Sequence, residues 1–182
     1  MKKVNPIALV GAVFALLTMS SIMAFGFGNE CVTPCVTDEA VAAVPLTIEA
    51  QDAVLEALVG AEGEYAAYAT YDAIVNEFGN VNPFANIMAA EAKHIEALQQ
   101  ILDFYGVEYP VENPYLGVID APESLAVAAQ AGVEAEIANV ALYQAQLNAV
   151  QDYPDVVAVF TNLQSASQQQ HLPAFQRAAA RY

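Results

Sequence analysis

Residues 84–94 read FANIMAAEAKH, and this stretch decides the fold class. Glu91 and His94 are three residues apart, so on a helix they lie on the same face. Apolar residues above and below them continue the helical spacing, at Ile87, Leu98, Ile101 and Tyr105. The pattern therefore predicts a helix whose buried face carries one carboxylate and one imidazole.

The end signals around this stretch place two helices in the first half of the chain. Asn82 is the predicted N-cap and Pro83 the first residue of the helix that contains residues 84–94, and Gly106 ends that helix. An alanine-rich helix precedes it, from about Ile48 to Phe78, with a glycine directly after its last residue. These two helices form the first predicted hairpin.

Two more helices follow a loop over residues 107–119. The third is predicted to start at a capping box formed by Asp120 and Glu123, with Pro122 just inside, and to reach about residue 151. The fourth starts at Pro154 and runs toward Arg181. No segment shows sustained alternation of apolar and polar residues, so we expect an all-α four-helix bundle of two antiparallel hairpins over residues 47–182.

An internal repeat relates the two hairpins. Residues of the first helix recur 72 positions later in the third, including Glu64 as Glu136 and Tyr71 as Tyr143. Residues of the second helix recur in the fourth, with Phe84 matching Phe160 at 76 positions and His94 matching His171 at 77. One extra residue inside a helix is typical of a π-bulge, and such bulges are frequent at functional sites.

Glu64, Glu91 and Glu136 each share a helix face with apolar residues, so we expect all three carboxylates to be buried. An unpaired buried charge costs several kcal/mol, and the whole chain contains only five Lys and Arg against 21 Asp and Glu. The only two histidines, His94 and His171, lie at equivalent repeat positions. Glu64, Glu91, His94, Glu136 and His171 are therefore predicted to bind a pair of metal ions between the four helices.

Tyrosines on the same faces are candidates to hold these ligands in place. Tyr68 and Tyr71 lie one and two turns from Glu64 and are the predicted hydrogen-bond donors, and Tyr143 repeats Tyr71. Core packing is the simpler interpretation of these rings. Glu62 and Glu134 point about 200° away from their neighbours at 64 and 136, so we expect both to be exposed.

The first part of the chain predicts export. Residues 1–26 combine Lys2 and Lys3 with a long apolar run, which indicates a signal peptide or, if it is not cleaved, a membrane anchor through residues 1–27. Residues 27–46 are a linker in which Cys31 and Cys35 are predicted to form a local disulfide, with a cross-link to another chain as the alternative. We therefore expect an extracytoplasmic protein. With a net charge of -16, nucleic acid is excluded as a partner.

Three segments carry a resemblance to the ferritin-like superfamily, which includes rubrerythrins and bacterioferritins: residues 62–71, 84–94 and 162–175. They are most similar to an uncharacterised ferritin-like domain family of bacteria and archaea. The resemblance covers about 130 residues. It implies a bundle that binds Fe, two ions per chain, or Mn, and that reacts with ferrous ion, dioxygen or peroxide. Zn is also compatible with the ligands, and the sequence is compatible with a homo-oligomer.

The chain departs from the superfamily pattern in the fourth helix. The superfamily has Glu-x-x-His there, whereas Gln168 stands where that Glu is expected, three residues before His171. Three carboxylates would leave a pair of divalent ions with a net charge of about +1. Pro173 is expected to kink the helix at this point.

Three functional interpretations remain open at this point. The first is a ferroxidase or peroxidase-like oxidoreductase with a dinuclear Fe or Mn site. The second is a non-catalytic surface or structural bundle with a structural metal or none. The third is metal capture by the acidic surface without turnover.

Overall fold

The computed structural model describes residues 44–182, which form one compact unit. The predicted signal segment and the pair Cys31 and Cys35 lie outside the described residues. The described part is helical and contains no strand. Its elements are α1 (Ile48–Val59), α2 (Glu64–Phe78), α3 (Phe84–Tyr105), α4 (Leu125–Gln146), α5 (Pro154–Ala166), a π-helix (Ser167–His171) and α6 (Leu172–Ala179).

These elements form the predicted four-rod bundle. The four rods are α1 with α2, then α3, then α4, then α5 with the π-helix and α6. Helix α3 packs mainly on α2, and α6 packs mainly on α4. Short connections join the packed rods into two hairpins, and the longer connection over residues 106–124 joins the hairpins.

The core is divided into two apolar clusters with a polar layer between them. One cluster contains Leu58, Leu98 and Phe160, and the other contains Phe84 and Phe175. Along α3 and α4 the chain passes from the second cluster through the polar layer to the first, whereas the other two rods pass in the opposite order. The two rods of each hairpin are therefore antiparallel, as predicted, and all four rods cross the polar layer.

The predicted first helix is broken at residues 60–63, which corrects the expected single helix from Ile48 to Phe78. A Cβ atom on Gly60 would lie 2.5 Å from the backbone oxygen of Glu56, and one on Gly63 would lie 2.6 Å from that of Ala57. Because these contacts are with backbone, only glycine allows the chain to turn this closely. The break makes Glu64 the first residue of α2.

The predicted helix ends were right at the glycines and wrong at two caps. Gly79 and Gly106 follow α2 and α3 and donate to backbone carbonyls of the preceding turn, as expected. Asn82 makes no capping hydrogen bond, and α3 starts at Phe84. The capping box at Asp120 is also wrong, because Ser124 caps α4 by accepting a hydrogen bond from the backbone of Val127 at 3.3 Å.

Two further differences concern α4. It ends at Gln146, five residues before the predicted end, and residues 147–152 form turns. Among the described helices, α4 is the one that is long and apolar enough to cross a membrane by length and composition. A helix in a protein core can pass the same test, and α4 buries Glu136, Asn139 and Tyr143 inside the bundle. This property therefore does not indicate a membrane span.

Candidate metal centre

The polar layer consists of the five side chains that the sequence singles out. Glu64 is the first residue of α2, Glu91 and His94 lie in the middle of α3, Glu136 lies in the middle of α4, and His171 ends the π-helix. The three carboxylates are only 1–2% exposed, and His171 is 4% exposed. Two side chains from α3 and one from each of the other three rods thus meet in the centre of the bundle.

The five side chains form two groups that share Glu91. In the first group, the Nδ1 atom of His94 lies 3.3 Å from Oε2 of Glu64 and 2.7 Å from Oε2 of Glu91. In the second group, Nδ1 of His171 lies 3.2 Å from Oε1 of Glu91 and 3.4 Å from Oε2 of Glu136. The ligand atoms within each group lie within 4.8 Å of one another. Each group could hold one metal ion, with Glu91 offering one oxygen to each.

The two imidazole rings lie side by side, which matches the repeat in the sequence. Their centroids are 5.5 Å apart and their planes differ by 24°. Each ring turns its Nδ1 atom toward Glu91 and toward one further carboxylate, Glu64 for His94 and Glu136 for His171. The repeat that relates the two hairpins therefore also relates the two groups of ligands.

The predicted π-bulge is confirmed, and it determines which residues of the fourth rod face the site. It spans Ser167–His171, where the wider turn places both end residues in the bundle interior, 2% and 4% exposed. Gln168, which the sequence places at the position of the superfamily Glu and therefore beside the ligands, is exposed instead, which corrects that expectation. Ser167 takes the inward position, and its hydroxyl donates to Oδ1 of Asn139 at 2.7 Å.

Two buried tyrosines hold the outer carboxylates across the bundle. The hydroxyl of Tyr71 on α2 donates to Oε1 of Glu136 at 2.9 Å, and that of Tyr143 on α4 donates to Oε1 of Glu64. Burial, followed by the nearby carboxylates, raises the pKa of both phenols well above the usual value, so they remain donors at neutral pH. Tyr68 was also predicted as a donor, but its hydroxyl makes no hydrogen bond within residues 44–182, and its side chain is half-buried.

Asn139 is a buried polar residue that the sequence reasoning missed. Its amide nitrogen donates to Oε1 of Glu64 at 3.4 Å and to the backbone oxygen of Glu62 at 3.3 Å. It follows Glu136 by three residues, the spacing that separates Glu91 from His94 on α3. That equal spacing was a signal in the sequence that could have identified it.

The exposed positions follow the prediction. Glu62 and Glu134 are exposed, as expected from their angle around the helix. Lys93, Arg177 and Arg181, the lysine and arginines within the described range, are exposed too. No Lys or Arg of residues 44–182 therefore enters the buried cluster.

The cluster strongly shifts the acidity of its members. Burial and the charge of Glu91 raise the pKa of Glu64 to about 7. Burial also acts to raise the pKa of Glu91, but the imidazoles of His171 and His94 close to its oxygens outweigh this effect and lower the value to about 2. Burial acts to lower the pKa values of the histidines, yet the carboxylates raise that of His94 to about 10 and that of His171 to about 9. At neutral pH and without a metal, both imidazoles therefore hold protons that partly balance the carboxylates.

Two buried atoms of the cluster lack a well-directed hydrogen bond. Oε2 of Glu91 and Nδ1 of His171 have no hydrogen-bond partner, although each lies near an oppositely charged atom. Buried polar atoms without a hydrogen bond are rare, and a bound ion is one explanation for them. Carboxylate oxygen and imidazole nitrogen without thiolate are suitable donors for Fe, Mn and Zn. The residues present therefore fit a pair of such ions.

Comparison with known proteins supports the fold and leaves the function open. No protein-family model matches the chain, and no curated protein matches it. Among solved structures, the chain is similar to the hypothetical protein MJ0754 from Methanococcus jannaschii DSM 2661, with 25% sequence identity and a TM-score of 0.66. The match covers 77% of this chain and 85% of the other. Residues 44–182 thus form an all-helical bundle with buried Glu and His groups that could hold metal ions.

Proposed function

We propose that the chain is an exported ferritin-like protein that binds two Fe or Mn ions and acts as an oxidoreductase toward ferrous ion, dioxygen or peroxide. The observation that carries this proposal is the pair of buried Glu, Glu and His groups that share Glu91. A shared carboxylate between two three-residue groups is the arrangement expected of a dinuclear site in a helical bundle.

Charge and access both favour a metal site that reacts with small molecules. Three carboxylates leave two divalent ions with a net charge of about +1, so the ions keep affinity for an anion or another small ligand. The position that a fourth carboxylate would take is filled by the smaller Ser167, which is held by Asn139. A cavity reaches Glu91 and Glu136 from the surface, so small molecules can approach the cluster.

Each residue of the cluster has a role in this proposal. His94 with Glu64, and His171 with Glu136, would each hold one ion, and Glu91 would hold both. When bound, Fe or Mn supplies one-electron redox chemistry toward dioxygen, peroxide or ferrous ion. Tyr71 and Tyr143 would fix the outer carboxylates through their hydrogen bonds. Export places this activity outside the cytoplasm, where Lys2 and Lys3 leave with the cleaved segment and make the mature chain more acidic.

The proposal is tested with the purified full chain. Elemental analysis after equilibration with ferrous ion or Mn²⁺ should give about two ions per chain. Addition of ferrous ion in air should then give rapid growth of the near-ultraviolet absorption of ferric ion, faster than in buffer alone. The double variant His94→Ala with His171→Ala should lose both the bound metal and the rapid oxidation.

The matched control is the double variant Glu62→Gln with Glu134→Gln, which removes two exposed carboxylates next to the repeat positions of the ligands. It should bind and oxidise as the unchanged chain does. Metal capture by the acidic surface would survive the histidine changes and decline in the control. One redox-inert metal or none, without turnover, would instead indicate a structural bundle and would overturn the proposed activity.

A further inference from the structure

A cavity of about 230 Å³ lies between α2 and α4, beside the carboxylate cluster. Its walls are formed mainly by residues with no side chain beyond Cβ, among them Ala66, Ala67, Ala128, Ala131, Gly132 and Ala135. Because alanine and glycine stand at these positions of both helices, their side chains leave the space between the helices unfilled. The inner end of the cavity reaches Glu91 and Glu136, and the outer end opens at Glu62 and Ala131, which are exposed.

Most polar groups of the cavity wall are already paired at its inner end, and the exception is Oε2 of Glu91, which makes no hydrogen bond. The hydroxyl of Tyr71 donates to Glu136, and the amide of Asn139 donates to Glu64 and to the backbone of Glu62. The hydroxyl of Thr70 donates to the backbone oxygen of its own helix at 2.8 Å. An ordered water needs two to four polar partners, and the middle of this cavity does not offer them. The middle is therefore a site for apolar atoms.

The size of the cavity limits what can bind there. An apolar protein cavity of about 150 Å³ binds benzene, so this cavity has room for a molecule somewhat larger than one aromatic ring. Small-molecule sites are mostly apolar with a small number of placed polar groups, and the lining of this cavity has that composition. Dioxygen or a ferrous ion alone would need far less apolar space.

We propose that this cavity binds a small organic molecule with an apolar body, about the size of a substituted benzene or a short alkyl chain. One end of the molecule would then face Glu91 and Glu136. As a binding site, the cavity depends only on its own walls. As the site of an organic substrate of the oxidoreductase, it rests on the function proposed above.

The test uses the metal-free full chain and toluene as the probe. Titration calorimetry should show saturable binding of one toluene per chain, and methyl NMR should show shifts of the Ala67 and Ala135 signals. Ala131→Leu places a larger side chain in the opening and should weaken binding at least tenfold. Ala67→Leu fills the cavity from the opposite helix and provides a second variant with the same expected result.

The matched control is Ala141→Leu, an equal change on an exposed position of α4 that does not line the cavity. It should bind toluene as the unchanged chain does. The proposal is overturned if toluene does not saturate, or if the cavity variants bind it as well as the control does. Toluene binding is measured without metal, so the two proposals can fail separately. A chain that binds toluene but no metal would support this inference and overturn the proposed function. A chain that binds metal but no toluene would support the proposed function and overturn this inference.

Discussion

Replacing Glu91 by Gln should weaken the binding of both proposed metal ions at once, because both groups of ligands share this carboxylate. Glu91 is 2% exposed, and its two oxygens lie 2.7 and 3.2 Å from the Nδ1 atoms of the two histidines. Glutamine has nearly the same shape but carries no charge and offers only one acceptor oxygen. Loss of a group that merely supports a ligand costs 10- to 100-fold in metal affinity, so we expect about 100-fold at each ion.

The expected change in stability follows from these affinities. At a metal concentration of 100 times Kd, each ion stabilises the folded chain by about 2.7 kcal/mol, and after a 100-fold loss it contributes about 0.4 kcal/mol. The stabilisation by two ions therefore falls from about 5 to about 1 kcal/mol. For a domain of this size, the metal-induced rise in Tm should fall from about 20 °C to about 4 °C.

The assay is thermal unfolding of each variant with Mn²⁺ and with chelator, and the quantity compared is the difference between the two Tm values. Any effect of the substitution on the metal-free fold appears in both values and largely cancels. Glu134→Gln, an exposed change on α4, is the control and should keep the full metal-induced rise. An undiminished rise in Glu91→Gln, or an equal loss in Glu134→Gln, would refute the shared-ligand geometry.

Three further predictions concern the support of the site. Tyr71→Phe removes a buried hydrogen bond to a carboxylate and should lower the free energy of unfolding by about 1.5–3 kcal/mol in urea titrations, whereas Tyr68→Phe should change it by less than about 0.5 kcal/mol. Gly63→Ala should lower Tm, since its Cβ would lie 2.6 Å from a backbone oxygen, and an unchanged Tm would contradict the close turn. His94 and His171 have folded pKa values of about 10 and 9 against an ordinary 6.5, so their contribution to stability is complete below pH 6.5 and is lost as pH rises through 9 to 10. Unfolding of the metal-free chain at several pH values should show this decline, and a His94→Gln, His171→Gln variant should show much less of it.

Much of the site could be predicted because burial of charge follows from helical spacing. Glu64, Glu91 and Glu136 each share a helix face with apolar residues, and the repeat relates His94 to His171. The structure brings these side chains together in the core, as that argument requires. Their role as metal ligands remains a prediction.

The register of the fourth rod could be predicted only in part. The repeat showed that the fourth rod contains one extra residue. Matching Ala166 to an alanine of the second helix placed the extra residue before Ala166, and this alignment paired Gln168 with Glu91. Alanine is so frequent in this chain that such a match carries little information. In the structure the extra residue falls within the π-helix, so Ser167 takes the inward position.

The break before Glu64 and the cavity depend on contacts between distant residues. Apolar spacing on both sides of residues 60–63 favoured one continuous helix over the breaking signal of Gly60 and Gly63. The close approach of these two glycines to the backbone of α1 shows why the helix ends there. The small residues on α2 and α4 favour helices equally whether they pack tightly or leave a space. The cavity therefore became visible only when both helices were in place.

The most direct measurement is an anomalous difference map from a crystal of the protein grown with Mn²⁺ or ferrous ion. The account predicts two peaks inside the bundle, one between Glu64, Glu91 and His94 and the other between Glu91, Glu136 and His171. Peaks confined to exposed carboxylates, or a buried cluster that binds no ion when Mn²⁺ is in excess, would contradict it.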